Sequence, residues 1–128
     1  MNIFQLIKYT FISLFNRDES DKLGGVPRSN QWPGVRKEYL KKHPKCFVCL
    51  GEKEITVHHK KPFNIHPELE LDPTNFITLC EEKRGGLNCH LFIGHLGNFQ
   101  GFNPDVEVDA EVWRGKILAN KTRIKYNK

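Results

Sequence analysis

Four cysteines, set as Cys46-x-x-Cys49, Cys80 and Cys89 on either side of a His58-His59 pair, limit what this chain can fold into more than any other feature. Four cysteines in 128 residues make two disulfides or one metal site, and compartment and spacing decide between them. Cys46-Phe47-Val48-Cys49 runs into Leu50-Gly51, the form of a zinc knuckle, in which two thiols sit on a tight turn relaxed by the glycine that follows. A lone CxxC is weak evidence. Cys80 and Cys89 strengthen it by completing the four thiolates of a closed tetrahedral zinc site. A chain of this size makes one domain with a modest core, which a metal staple would help to hold.

The histidine pair closes Glu54-Ile55-Thr56-Val57-His58-His59, a β-branched, alternating run ended by Pro62. Neighbours on a strand point to opposite faces, so His58 and His59 are expected to do different jobs, one as a metal ligand and one as a base. Lys60 and Lys61 would draw an anion toward them. Taken alone, a His-His pair is more often incidental surface, and its context has to reverse that.

Phe63 to Thr74 reads as a loop, and its His66, with no spaced partner, as structural. Asn75 enters a second strand that ends at Cys80; asparagine before a strand is commonly a turn residue. After a loop with Gly85-Gly86, Asn88 can cap a helix from Cys89-His90 to about Leu96, with Gly97 as its stop and His95 about one turn beyond His90. Upstream, Trp32, Val35, Tyr39 and Leu40 give helical spacing over Trp32 to His43, with Arg36, Lys37, Lys41 and Lys42 as a basic surface able to grip phosphates or simply to face solvent. A last helix is expected from Ala110 to about Ile124, with Val112, Trp113, Ile117 and Leu118 apolar.

At the start, Ile3, Phe4, Ile7, Phe11, Leu14 and Phe15 share one face of an amphipathic helix over residues 1–16. Such a face can pack on its own domain, lie in a membrane interface or dimerise. With Gln5 and Lys8 inside it, no small-residue cleavage site and fewer than the roughly twenty residues of a span, the stretch is expected to be neither an export signal nor a transmembrane helix. Residues 17–30 follow as a polar linker, residues 31–100 hold the motifs, and residues 101–128 are a C-terminal helix with a basic tail.

Twenty Lys+Arg against fifteen Asp+Glu give a net charge of +5, with the cations gathered in Arg36 to Lys45 and in a tail free of acids after Glu111. That suits a polyanionic partner, or a merely solubilising surface. With 38% hydrophobic and 27% charged residues the chain is globular rather than disordered or membrane-spanning.

The order CxxC, strand ending His-His, loop, Asn, strand, Cys, loop, Cys-His, helix resembles the HNH endonucleases over about Trp32 to Asn98. The resemblance implies an α+β fold, a small ββα-metal core with a zinc-stapled knuckle flanked by N- and C-terminal helices. It implies that His59 is the general base, that His58 and His90 are catalytic metal ligands, and that Asn75 either fixes the loop and the base or touches the metal. Cys46, Cys49, Cys80 and Cys89 would hold a structural Zn2+, and His95 is a further candidate ligand, near the position where some members place one. The implied reaction is metal-dependent hydrolysis of phosphodiester bonds in DNA, double-stranded by expectation, by a cytoplasmic protein that is peripheral to a membrane if residues 1–15 attach it. Two departures matter. Eight residues separate Cys80 from Cys89 where the family has two, and His58 stands where many relatives have aspartate, which makes Zn2+, Ni2+ or Mn2+ at least as suited as Mg2+ to be the catalytic ion. A non-catalytic, zinc-stabilised nucleic-acid-binding module and a membrane-attached interaction protein are the competing readings.

Overall fold

A computed structural model describes residues 27–82 and 87–126, with Lys125 and Tyr126 as backbone only. The amphipathic helix expected over residues 1–16, most of the 17–30 linker and the Gly85-Gly86 turn lie outside the described residues.

The chain is a small α+β arrangement in which helices pack around a two-stranded antiparallel sheet. Helix α1 spans Trp32–Lys42. Pro33 sits in its first turn, where no amide is missed, and Lys41 and Lys42 face the negative end of its dipole. It ends at His43, whose successor Pro44 disfavours helical backbone before it. No residue of α1 is fully buried, and its half-buried face lies on the sheet. Tyr39 donates its hydroxyl to the Phe76 carbonyl at 3.2 Å, and the Trp32 ring meets Phe76 edge-on at 5.5 Å.

Strand β1, Ile55–His59, pairs with β2, Phe76–Cys80, in a register that sets Ile55 opposite Cys80 and His59 opposite Phe76. All five residues of β2 are buried, because the knuckle, α1 and the elements after β2 cover both of its faces. The knuckle is tied to this strand by Phe47 N–H donating to the Thr78 carbonyl at 2.9 Å. The expected loop from Phe63 to Thr74 contains two 3-10 turns, Pro67–Leu69 and Pro73–Asn75, the second capped by the Asp72 carboxylate accepting from Thr74 N–H.

The helix expected from Cys89 to Leu96 is instead a single π-helical turn, His90–Gly94. Asn88 does cap it, its Oδ1 accepting from Leu91 N–H at 3.1 Å, and Leu96 and Gly97, both at positive φ, stop it. A Cβ on Gly94 would lie 3.0 Å from the His58 ring, so the glycine lets this turn press against β1.

Helix α2 runs from Val106 to Tyr126 and so starts four residues before the expected Ala110. Buried Asn103 organises the start, accepting from Asp105 N–H and donating from Nδ2 to the Ile93 carbonyl and the Asp109 carboxylate. Val106 and Ala110 belong to one core with Cys46, Val48, Ile77 and Leu79, so the core crosses the boundary expected at residues 100–101. Of the four apolar residues expected to line α2, only Ile117 packs on this core; Val112, Trp113 and Leu118 are exposed. No helix among the described residues is long and apolar enough to cross a membrane.

Candidate metal centres and the adjoining cleft

Cys46 and Cys49 come from the knuckle, Cys80 from the end of β2 and Cys89 from the residue before the π-helical turn; their sulfurs all lie within 4.8 Å of one another. None is in a disulfide. Cys49 and Cys80 are 3.7 Å apart at sulfur, and zinc–sulfur bonds of about 2.3 Å in a tetrahedron put sulfurs about 3.8 Å apart. Local backbone fixes the knuckle, with Cys46 N–H donating to the Gly51 carbonyl and Leu50 N–H donating to the Cys46 carbonyl. The thiols divide sharply. A hydrogen bond from Cys89 holds Cys46 down at about 5, burial pushes Cys49 up to about 11, and Cys89 is pushed up by its bond to Cys46 and by burial. A dication of zinc's size fits the donor set, since it would stabilise all four sulfurs as thiolates.

A second cluster joins β1 to the π-helical turn. His58, His90 and His95 each bring a ring nitrogen within 4.8 Å of the others. His90 donates from Nδ1 to the Glu81 carboxylate at 2.7 Å, and His95 donates from Nδ1 to the Gly101 carbonyl at 2.6 Å. Both Nε2 atoms are then lone pairs, and they face each other at 3.1 Å. The Nε2 of His58 is buried with no hydrogen-bond partner among the described residues. Burial first, and then the neighbouring imidazoles, hold His58 down at about 2; burial also lowers His90 and His95. Neutral nitrogens converging in a buried site, two of them oriented by a carboxylate and a carbonyl, make a donor set that fits a divalent transition metal. The π-helical turn makes the trio possible, because its i→i+5 closure brings residues five apart toward one side.

His59 turns to the other side of β1, its ring 4.6 Å from that of Trp32 and edge-on to Phe76 at 5.2 Å. Its Nε2 donates to the Glu70 carbonyl at 2.9 Å, which leaves Nδ1 as the acceptor. Burial lowers its pKa, the bond to Glu70 opposes this and the nearby Arg28 charge adds to it. Although their rings diverge, His58 and His59 border one cleft of about 410 Å³, together with His90, His95, Arg28 and Arg36. Arg28 pairs with the buried Glu70 carboxylate at 3.3 Å and lies 4.2 Å over the Phe63 ring, while Arg36 donates to Thr56 Oγ1 at 3.4 Å.

Asn75 is buried and stands outside this cleft, beside Lys60 and Lys61 in a separate cavity. Its Oδ1 accepts from Lys61 N–H at 2.8 Å, its Nδ2 donates to the Lys61 carbonyl at 3.0 Å and its own carbonyl accepts from Lys60 N–H, so it clamps the chain just after His59. His66 pairs with Glu68 and belongs to neither cluster. Lys60 does not serve the histidines either, since its ammonium is bonded to the Thr74 carbonyl and to Glu107. Arg28, Arg36, Glu70 and Glu81 take the places around the histidines, and of these only Arg36 carried a sequence signal, as part of a basic helix face. The family models, curated proteins and solved structures compared with this chain return no match.

Proposed function

We propose that this chain is a metal-dependent endonuclease of the HNH type, hydrolysing phosphodiester bonds in DNA. The observation that carries the reading is the juxtaposition, in one cleft, of a converging histidine trio and a fourth histidine whose ring is fixed by a main-chain carbonyl. His58, His90 and His95 would hold the catalytic ion, and Cys46, Cys49, Cys80 and Cys89 a structural zinc. When bound, the catalytic ion supplies positive charge to the phosphoryl and leaving oxygens.

The remaining work falls to the chain. His59, neutral near pH 7 because burial lowers its pKa, takes a proton from water at Nδ1, and the Glu70 carbonyl keeps its ring in the tautomer that can do so. Arg36 lines the same cleft and holds a phosphate by charge, while Arg28 beside it is paired with Glu70. Asn75 acts on the loop behind His59 rather than on the ion.

Nicking of supercoiled plasmid by purified protein, with and without added Zn2+, Ni2+, Mn2+ or Mg2+, tests the reading. Metal-dependent conversion to open circle that is lost in His59→Ala is the expected result. DNA that is bound but left intact in every metal would favour the non-catalytic binding module instead.

A further inference from the structure

The loop after the π-helical turn brings two aromatic rings to the cleft, Phe99 and the less exposed Phe102. Phe99 is 54% exposed, yet its ring centroid lies 5.1 Å from that of His95 and 5.5 Å from that of His90, and it lines the cleft with Arg28 and Arg36. The loop that carries it is internally bonded. Asn98 N–H donates to the His95 carbonyl, Gly101 N–H to the Asn98 carbonyl and Gln100 N–H to Asn98 Oδ1, while the Gly101 carbonyl holds the His95 ring. The element that orients a histidine of the trio therefore also fixes the phenyl ring beside it.

An exposed phenylalanine is common on protein surfaces and by itself means nothing. Here it lines a cleft whose other groups share a chemistry with it: the Arg36 guanidinium for a phosphate, the imidazoles of the trio, and a phenyl ring more than half exposed beside them. A nucleotide is the ligand that presents an anion and a flat aromatic surface together. We propose, building on the nuclease reading, that Phe99 is a stacking platform for the nucleobase next to the phosphate in the cleft, and that the preferred substrate is DNA with an unpaired nucleotide at that position. In an intact duplex both faces of a base are covered by its neighbours, so the ring gains a partner only where the base is unstacked. Stacking of this kind tolerates any base, because every base offers a π face.

The test uses full-length protein carrying His59→Ala, so that bound DNA stays whole, and fluorescence anisotropy with a short dye-labelled single-stranded oligodeoxynucleotide and a fully paired hairpin. The single strand is expected to bind about tenfold or more tightly than the hairpin. Phe99→Ala should weaken single-strand binding by about ten- to a hundred-fold and leave the hairpin unaffected. Phe99→Trp should keep the affinity and Phe99→Leu should lose it, because leucine would still cover the histidines but has no π face. Equal single-strand binding by the Ala or Leu variants and the parent, or a hairpin bound as tightly as the single strand, overturns the proposal. The two readings fail separately. Ring-dependent binding by a protein that cuts neither plasmid nor the single-stranded oligonucleotide in any metal sinks the nuclease alone, and cutting of the single strand that Phe99→Ala leaves unchanged sinks the platform alone.

Discussion

His59 donates a hydrogen bond from Nε2 to the main-chain carbonyl of Glu70 across 2.9 Å, while the Glu70 carboxylate holds Arg28 at 3.3 Å and Ser29 N–H at 2.9 Å. One buried residue thus fixes both the proposed base and a cleft cation. Removing the base while keeping this frame should lower the cleavage rate by about a hundred- to ten-thousand-fold in His59→Ala. The variant also gives up the ring's contacts with Trp32 and Phe76 and its bond to the Glu70 carbonyl, so its unfolding midpoint should fall modestly, while bound zinc should stay close to the parent's. The pH profile follows from the direction of the shift. A base held below the ordinary 6.5 of histidine is already neutral at pH 7, so the rate is expected to be flat through neutrality and to fall only on acidification below about 6.5. A rate that climbs steadily from pH 7 to 9 would exclude His59 as the titrating base.

Asn75 reaches the same residue from behind. Both ends of its amide bond the Lys61 backbone in a buried setting, so Asn75→Ala leaves a main-chain donor and acceptor without partners. The expected loss is about 1–3 kcal/mol in urea unfolding. Asn75→Asp should be at least as damaging, because a carboxylate oxygen would then face the Lys61 carbonyl. Metal content at both centres should be unchanged, since Asn75 touches neither.

How far the sequence exposed this arrangement depends on the range over which each feature is encoded. The hairpin, α1 and the four-cysteine set were legible because they rest on local patterns: alternation in Ile55–His59, helical spacing from Trp32, and the CxxC turn. His95 was only half legible. At five residues from His90 it falls off the face of an α-helix, and the π-helical turn that brings it back has no local signature beyond Gly94. Lys60 was misread because proximity in sequence said nothing of Glu107, forty-seven residues on, which captures its ammonium. The early start of α2 was available in Asn103-Pro104-Asp105, a cap-and-proline signal of the kind that opens helices. Glu70 and Arg28 are joined across forty-two residues, and no pattern marks them.

Gly94 gives a way to separate the two metal centres. A Cβ at this position would stand 3.0 Å from two atoms of the His58 ring and 3.3 Å from His90, so Gly94→Ala must shift the trio. Purified Gly94→Ala is expected to keep one zinc by elemental analysis and to bind a second divalent ion at least about tenfold more weakly, by analogy with the loss of a supporting group at a metal site. Cys49→Ser should do the reverse first, releasing the structural zinc and melting the fold, because it removes one of the four thiolates that the ion would neutralise.

The buried imidazoles also set the response to acid. His58 is held at about 2 against an ordinary 6.5, and His90 and His95 are lowered in the same direction, all by burial first. A histidine with a depressed folded pKa takes up its proton more readily in the unfolded chain. Its contribution to stability is therefore whole above pH 6.5 and drains away as the pH falls from there toward the folded value. With the histidine site stripped of metal, the urea midpoint should drop progressively between pH 6.5 and 5, and His58→Gln should flatten that dependence. Near pH 5 the variant is expected to match or exceed the parent, because it no longer carries a buried group that gains a proton on unfolding. At pH 7.5 with a divalent ion present, the order should reverse, since the parent alone keeps the nitrogen that would join His90 and His95 at the ion. A variant less stable than the parent at both pH values, by the same margin with and without metal, would make His58 an ordinary packing residue.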